Sequence, residues 1–120
     1  MKNIPFATLT VGEETYKLKI SVSAAIEAEK KLGFSLIRAW TKLDSLNVLT
    51  TVIWASLQRF HHGATFEQAM SLLDDFIDEG RELEELIDVI KEVYTVSGFM
   101  KRAAPEEEKE NAPENMKKPQ

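Results

Sequence analysis

The chemistry open to this chain of 120 residues rests on a short set of side chains. There is no cysteine, so disulfides, thiolate zinc sites and cysteine nucleophiles are excluded. The two histidines, His61 and His62, are adjacent. Metal ligands sharing a helix face stand three or four residues apart, whereas neighbours diverge by about 100°. The pair therefore reads as a solvated helix end. Lys30-Lys31 before Gly33 lacks the G-x-x-x-x-G-K-[ST] spacing that cradles a phosphate. Asp74, Asp75, Asp78 and Glu79 would chelate a cation only with a turn between them, and the calcium-loop pattern is missing. No Ser, His and Asp set carries a nucleophile elbow. The expectation is a protein that is not an enzyme and has no metal, no cofactor and no catalytic residue.

Two features break local rules and are better places to look. Asp74, Asp75, Asp78 and Glu79 crowd the end of an amphipathic segment, where the helix dipole favours cations. A rule broken without local compensation marks them as a candidate partner-binding surface, set against the plain reading that they only solvate the helix. Glu29 falls on the stripe Val22, Ala25, Ile26, Glu29, Leu32. A carboxylate there must be paired if buried, which makes it a candidate structural polar contact with Lys17 or Lys19. Trp40 and Trp54 read as core or core-edge residues, and Trp40 is also a candidate aromatic anchor for a partner.

The elements that must carry these residues follow from periodicity. Phe6, Thr8 and Thr10 alternate with Ala7, Leu9 and Val11; after Gly12-Glu13-Glu14, Tyr16, Leu18 and Ile20 alternate with lysines. That pattern predicts a β-hairpin, which needs something to lie on. Gly33, Gly63, Gly80 and Gly98 each follow an apolar-periodic segment, as helix C-caps do. The predicted helices run over Ser23–Leu32, Ser35–Leu43 with Ser35 as N-cap, Asp44 or Ser45 to about His61, from Thr65, and from near Arg81 past Tyr94. Thr65 with Gln68 reads as a capping box. The third helix, with Leu46, Leu49, Ile53, Leu57 and Phe60 on one stripe, is expected at the centre. The fourth shows Phe66, Ala69, Met70, Leu73, Phe76 and Ile77 as its apolar face. The expected fold is mainly α (α+β): an N-terminal β-hairpin over residues 5–20 packed on a bundle of about five helices over 23–98.

Composition bounds the domain. Residues 101–120 hold three of the four prolines, ten charges and no aromatic residue, so a disordered charged tail is expected there after a single globular domain over 1–100. No stretch is apolar enough for a membrane span or a signal peptide, which points to the cytoplasm. Residues 1–60 carry eight Lys/Arg and five Asp/Glu, a net of +3, whereas residues 61–100 carry two and ten, a net of −8. This polarity suits a basic partner or a head-to-tail homo-oligomer, and argues against nucleic acid.

The order of elements, with Ile26-Glu27-Ala28-Glu29-Lys30-Lys31-Leu32-Gly33, Val52-Ile53-Trp54-Ala55-Ser56-Leu57, Leu72-Leu73-Asp74 and Ser97-Gly98-Phe99, resembles the tail assembly chaperones of long-tailed bacteriophages and prophages and the related tail proteins of gene transfer agents. Tyr16-Lys17-Leu18 leading to Glu29-x-x-Leu32-Gly33 is its strongest part, and the likeness spans about Leu9–Met100. The resemblance implies a non-catalytic helical protein of the host bacterial cytoplasm that binds the tape-measure protein, the tail-tube protein or both, and is left out of the mature virion. It also implies a longer product made by ribosomal frameshifting, with Lys117-Lys118 as the candidate position. The alternatives are a small tail-associated structural protein and a regulatory DNA-binding protein, the latter opposed by the acidity.

Overall fold

The computed structural model describes residues 3–100, so the tail expected over 101–120 and its Lys117-Lys118 pair lie outside the described residues. A two-stranded hairpin packs on five helices, an α+β arrangement. Strand β1 (Ala7–Val11) pairs antiparallel with β2 (Glu14–Leu18), Leu9 opposite Tyr16. The helices are α1 (Val22–Leu32), α2 (Leu36–Ala39), α3 (Leu46–Leu57), α4 (Phe66–Asp78) and α5 (Leu83–Val96), with a 3-10 turn, Trp40–Lys42, after α2. Gly12 turns the hairpin at φ +64, a conformation other residues resist.

Side-chain oxygens cap four of the helices. Ser21, Ser35, Ser45 and Thr65 each accept the backbone N–H three residues on. Thr65 and Gln68 form the predicted capping box, with bonds of 3.0 and 2.9 Å. At the other end of α1, Gly33 at φ +84 returns its N–H to the Glu29 carbonyl.

Helix α3 is the buried centre, lying against α1, α4, α5 and β2. Its polar side chains are satisfied within the helix: Thr50, Thr51 and Ser56 donate to the carbonyls of Leu46, Asn47 and Val52 at 2.7, 2.7 and 2.6 Å. Tyr94 of α5 is fully buried beneath α2. Its hydroxyl donates to the Leu36 carbonyl at 2.6 Å, and its ring meets Trp40 and Phe99 at centroid distances of 5.4 and 6.3 Å.

Several expected boundaries and faces differ. The second helix is one α turn followed by a 3-10 turn, where Thr41 draws the Arg38 carbonyl to its hydroxyl. Helix α3 stops at Leu57 because Gln58 turns its amide onto the carbonyls of Trp54 and Ala64. Helix α1 buries Ala24 and Ala28, which let it lie close on α3, and exposes Val22 (70%) and Ile26 (49%) from the expected stripe. Leu46, Met70 and Ile77 are likewise exposed, whereas Leu72, outside the expected face of α4, is buried.

Burial, with a smaller contribution from the Glu29 carboxylate, pushes the Tyr94 hydroxyl from 10.0 up to about 12. A raised value in the folded state contributes stability that is whole below the unfolded value and lost as pH rises through the folded one. Alkaline unfolding should therefore steepen between pH 10.0 and about 12. Tyr94→Phe should lose about 1 kcal/mol at neutral pH and this part of the alkaline slope; thermal melts of both proteins across that range check it.

Candidate functional site

Helix α4 presents two different faces. Ala69, Leu72, Leu73 and Phe76 enter the core. Met70, Asp74, Ile77 and Asp78, spaced four, three and one apart, share the solvent side. Met70 and Ile77 are 43% and 45% exposed. No ion pair engages Asp74, Asp75 or Asp78 among the described residues.

Glu79, the fourth acid of the expected surface, is used inside the molecule. Its carboxylate accepts the Gly12 N–H at the hairpin turn and pairs with Arg81 at 2.9 Å. Arg81 also reaches Glu85 at 2.7 Å, donates to the Thr10 carbonyl and stacks 4.4 Å from the Phe76 ring centroid. The Arg81 bond and then the Gly12 N–H hold the Glu79 carboxyl below its ordinary value, and Arg81 lowers Glu85 in the same way. This network fixes the hairpin tip to the α4–α5 junction. Asp74, Asp75 and Asp78 take no part in it.

The structure gives Glu29 a partner other than the lysines the sequence suggests. Its carboxylate accepts the Leu36 N–H at 2.8 Å, at the start of α2. Lys19 instead donates to the Val96 carbonyl at 2.7 Å, and the Lys17 ammonium sits 5.0 Å from the Phe6 ring centroid. Trp40 is half-buried on Tyr94, which gives it a packing role in α2–α5 contact. The Trp54 indole N–H is bonded to the Ala64 carbonyl at 3.1 Å.

A trough of about 310 Å³ opens between β2 and α4. Leu57 and Leu72 form its apolar lining, with Tyr16, His61, Ser71 and Asp75 among its polar groups. His61 Nε2 accepts the outward N–H of Lys17 at 3.2 Å. The next outward N–H, Lys19, goes to the Ser56 carbonyl at 3.0 Å. These two bonds occupy part of the outer edge of the hairpin. A second cavity of about 480 Å³, beside Ser21 and Trp54, is lined by both Glu27 and Arg59 and so favours neither charge.

Sequence reasoning missed Arg81, His61 as an acceptor, and the trough. Each is built by residues far apart in the chain, Gly12 with Glu79 and Lys17 with His61, which no local pattern connects. Among the described residues no three His, Asp or Glu side chains converge as a metal cluster, and no helix is long and apolar enough to cross a membrane.

Loss of the Glu79 charge should loosen the hairpin tip while the helical core holds. A depressed carboxylate contributes stability present above its unfolded value and lost as pH falls through the folded one. The protection of the Gly12 amide, relative to its intrinsic exchange rate at each pH, should fall in Glu79→Gln at neutral pH, and in the unaltered protein as acid titrates Glu79. Unchanged protection of Gly12 relative to core amides in the variant would show that the carboxylate does not hold the turn.

No protein-family model matches the chain, and neither does any curated protein or solved structure.

Proposed function

We propose that this protein is a non-catalytic binding protein, a tail assembly chaperone of a phage or prophage that holds the tape-measure protein, the tail-tube subunit or both during assembly in the host cytoplasm. The observation that carries the reading is the solvent face of α4, where Met70 and Ile77 alternate with Asp74 and Asp78. Apolar anchors about two helical turns apart, flanked by carboxylates, match a basic amphipathic helix laid along them. The acids occupy the end of α4, which has no basic residue in its last turn, so the dipole works against them locally. A long helical client with exposed apolar stripes needs such a surface rather than a deep pocket.

A second copy of the chain is the other occupant that one observation favours. Val22 and Ile37, each 70% exposed, lie on the neighbouring helices α1 and α2, which also carry Lys30, Lys31 and Arg38. The basic residues of these helices would meet the acids of α4 in a head-to-tail contact weakened by salt.

Asp74→Lys with Asp78→Lys should leave the melting temperature unchanged or slightly higher, since cations suit a helix C-terminus. The same variant should fail to keep a co-expressed tape-measure or tube protein soluble. Equal rescue by the variant would move the surface elsewhere. Retention of the unaltered protein on DNA, falling as salt rises, would favour the DNA-binding alternative.

A further inference from the structure

The trough beneath β2 has a different chemistry from the solvent face of α4 and lies beside it on the same helix. Gln68, Ser71, Leu72 and Asp75 are spaced three, one and three apart, so they form one continuous helix face along the opening. Opposite them, Tyr16 and His61 make an edge-to-face ring pair with centroids 5.5 Å apart. The Asp75 carboxylate has no ion-pair partner among the described residues. Lys17, the nearest cation on the strand, is drawn towards Phe6 and Phe60, its ammonium 5.0 and 5.7 Å from their ring centroids. The chain therefore does not fill the trough with its own lysine.

A volume of about 310 Å³ is at the small end of ligand pockets. It suits one long side chain and is too small for a helix. An apolar lining, an aromatic wall and a single carboxylate ask for an aliphatic stem ending in a flat cation. Guanidinium meets that description better than ammonium, because it is planar, weakly hydrated, stacks on rings and pairs with a carboxylate through two bonds. An anion would meet Asp75 within a segment of net charge −8.

We infer that the trough receives one arginine side chain, its methylenes on Leu57 and Leu72 and its guanidinium between the Tyr16–His61 rings and the Asp75 carboxylate. The arginine belongs to the partner segment lying on α4, so the inference rests on the partner-binding reading above. His61 serves as a wall, its Nε2 accepting the Lys17 amide.

The test is an amide NMR titration of the full chain with Nα-acetyl-arginine amide, compared with the citrulline and lysine analogues. Saturable shifts are expected at Tyr16, His61, Ser71 and Asp75 with the arginine probe, weaker ones with lysine and none with citrulline. Asp75→Asn should weaken the arginine probe about tenfold, the loss of one charge-assisted pair, with the rest of the spectrum unchanged. Asp78→Asn should bind the probe as the unaltered protein does. Equal shifts with citrulline and arginine, shifts confined to Asp74 and Asp78, or full affinity in Asp75→Asn would each overturn the inference. Partner capture in the co-expression assay separates it from the wider reading. Capture lost in the Asp74→Lys, Asp78→Lys variant but untouched in Asp75→Asn leaves the α4 reading standing and overturns the arginine site. Capture lost in Asp75→Asn, together with probe binding in the trough, supports both.

Discussion

Leu36 is held from both sides, and much of the bundle is organised around that grip. Its N–H is taken by Glu29 of α1 and its carbonyl by the Tyr94 hydroxyl of α5, at 2.8 and 2.6 Å. Helix α2 has only four residues, too few to be stable through its own hydrogen bonds. Two side chains from neighbouring helices therefore supply the order that its length cannot. The arrangement also resolves two costs at once. A buried phenol and a half-buried carboxylate would each lack a partner in an apolar interior, and the same peptide segment satisfies both. Trp40 then closes over the Tyr94 ring, which ties the 3-10 turn to the same point.

The hairpin obeys a related constraint, since two strands alone are marginal in water. Its inner face, Ala7, Leu9, Val11 and Leu18, joins the core, but apolar contact does not fix a strand's register along its length. Polar ties at both ends do so. At the tip, Glu79 and Arg81 take Gly12 and Thr10; at the base, Ser97 Oγ accepts the Ile20 N–H at 2.9 Å and Lys19 reaches Val96. Between these ends the outward amides of Lys17 and Lys19 go to His61 and Ser56. Each tie crosses from the hairpin to a helix or its end, so the small sheet is fastened at intervals rather than by a long ladder.

How much of this was legible from sequence depends on whether the cause was local. Ser35, Thr65 with Gln68, and Gly33 act on their own turns, and their caps appear where the pattern places them. The apolar run of α3 correctly marks it as the central helix. Helix α1 was misread because Ala24 and Ala28 carry little hydrophobic signal, although small size is what allows close packing on α3. Val22 and Ile26 carry a strong signal on the wrong face. Glu29 stands out in the sequence as a polar group on an apolar stripe, but its partner is a backbone N–H seven residues on, which no charge pattern reveals. The acids of α4 were visible as a group. Their division into Glu79, which holds the hairpin, and three others could come only from the folded arrangement.

That division bears on why α4 is built as it is. A helix with one apolar face needs only carboxylates and lysines on the other side, yet this one exposes Met70 and Ile77 and has no basic residue in its last turn. Exposed apolar side chains favour association, and unpaired like charges oppose the association of identical faces. Together they disfavour pairing of α4 with α4 of another copy. The helix can carry this combination because its stability comes from elsewhere: Phe76 and Ala69 are buried without remainder, the Thr65 box closes its start, and Arg81 lies across Phe76 near its end. With both ends and the inner face secured, the outer face carries no part of the core.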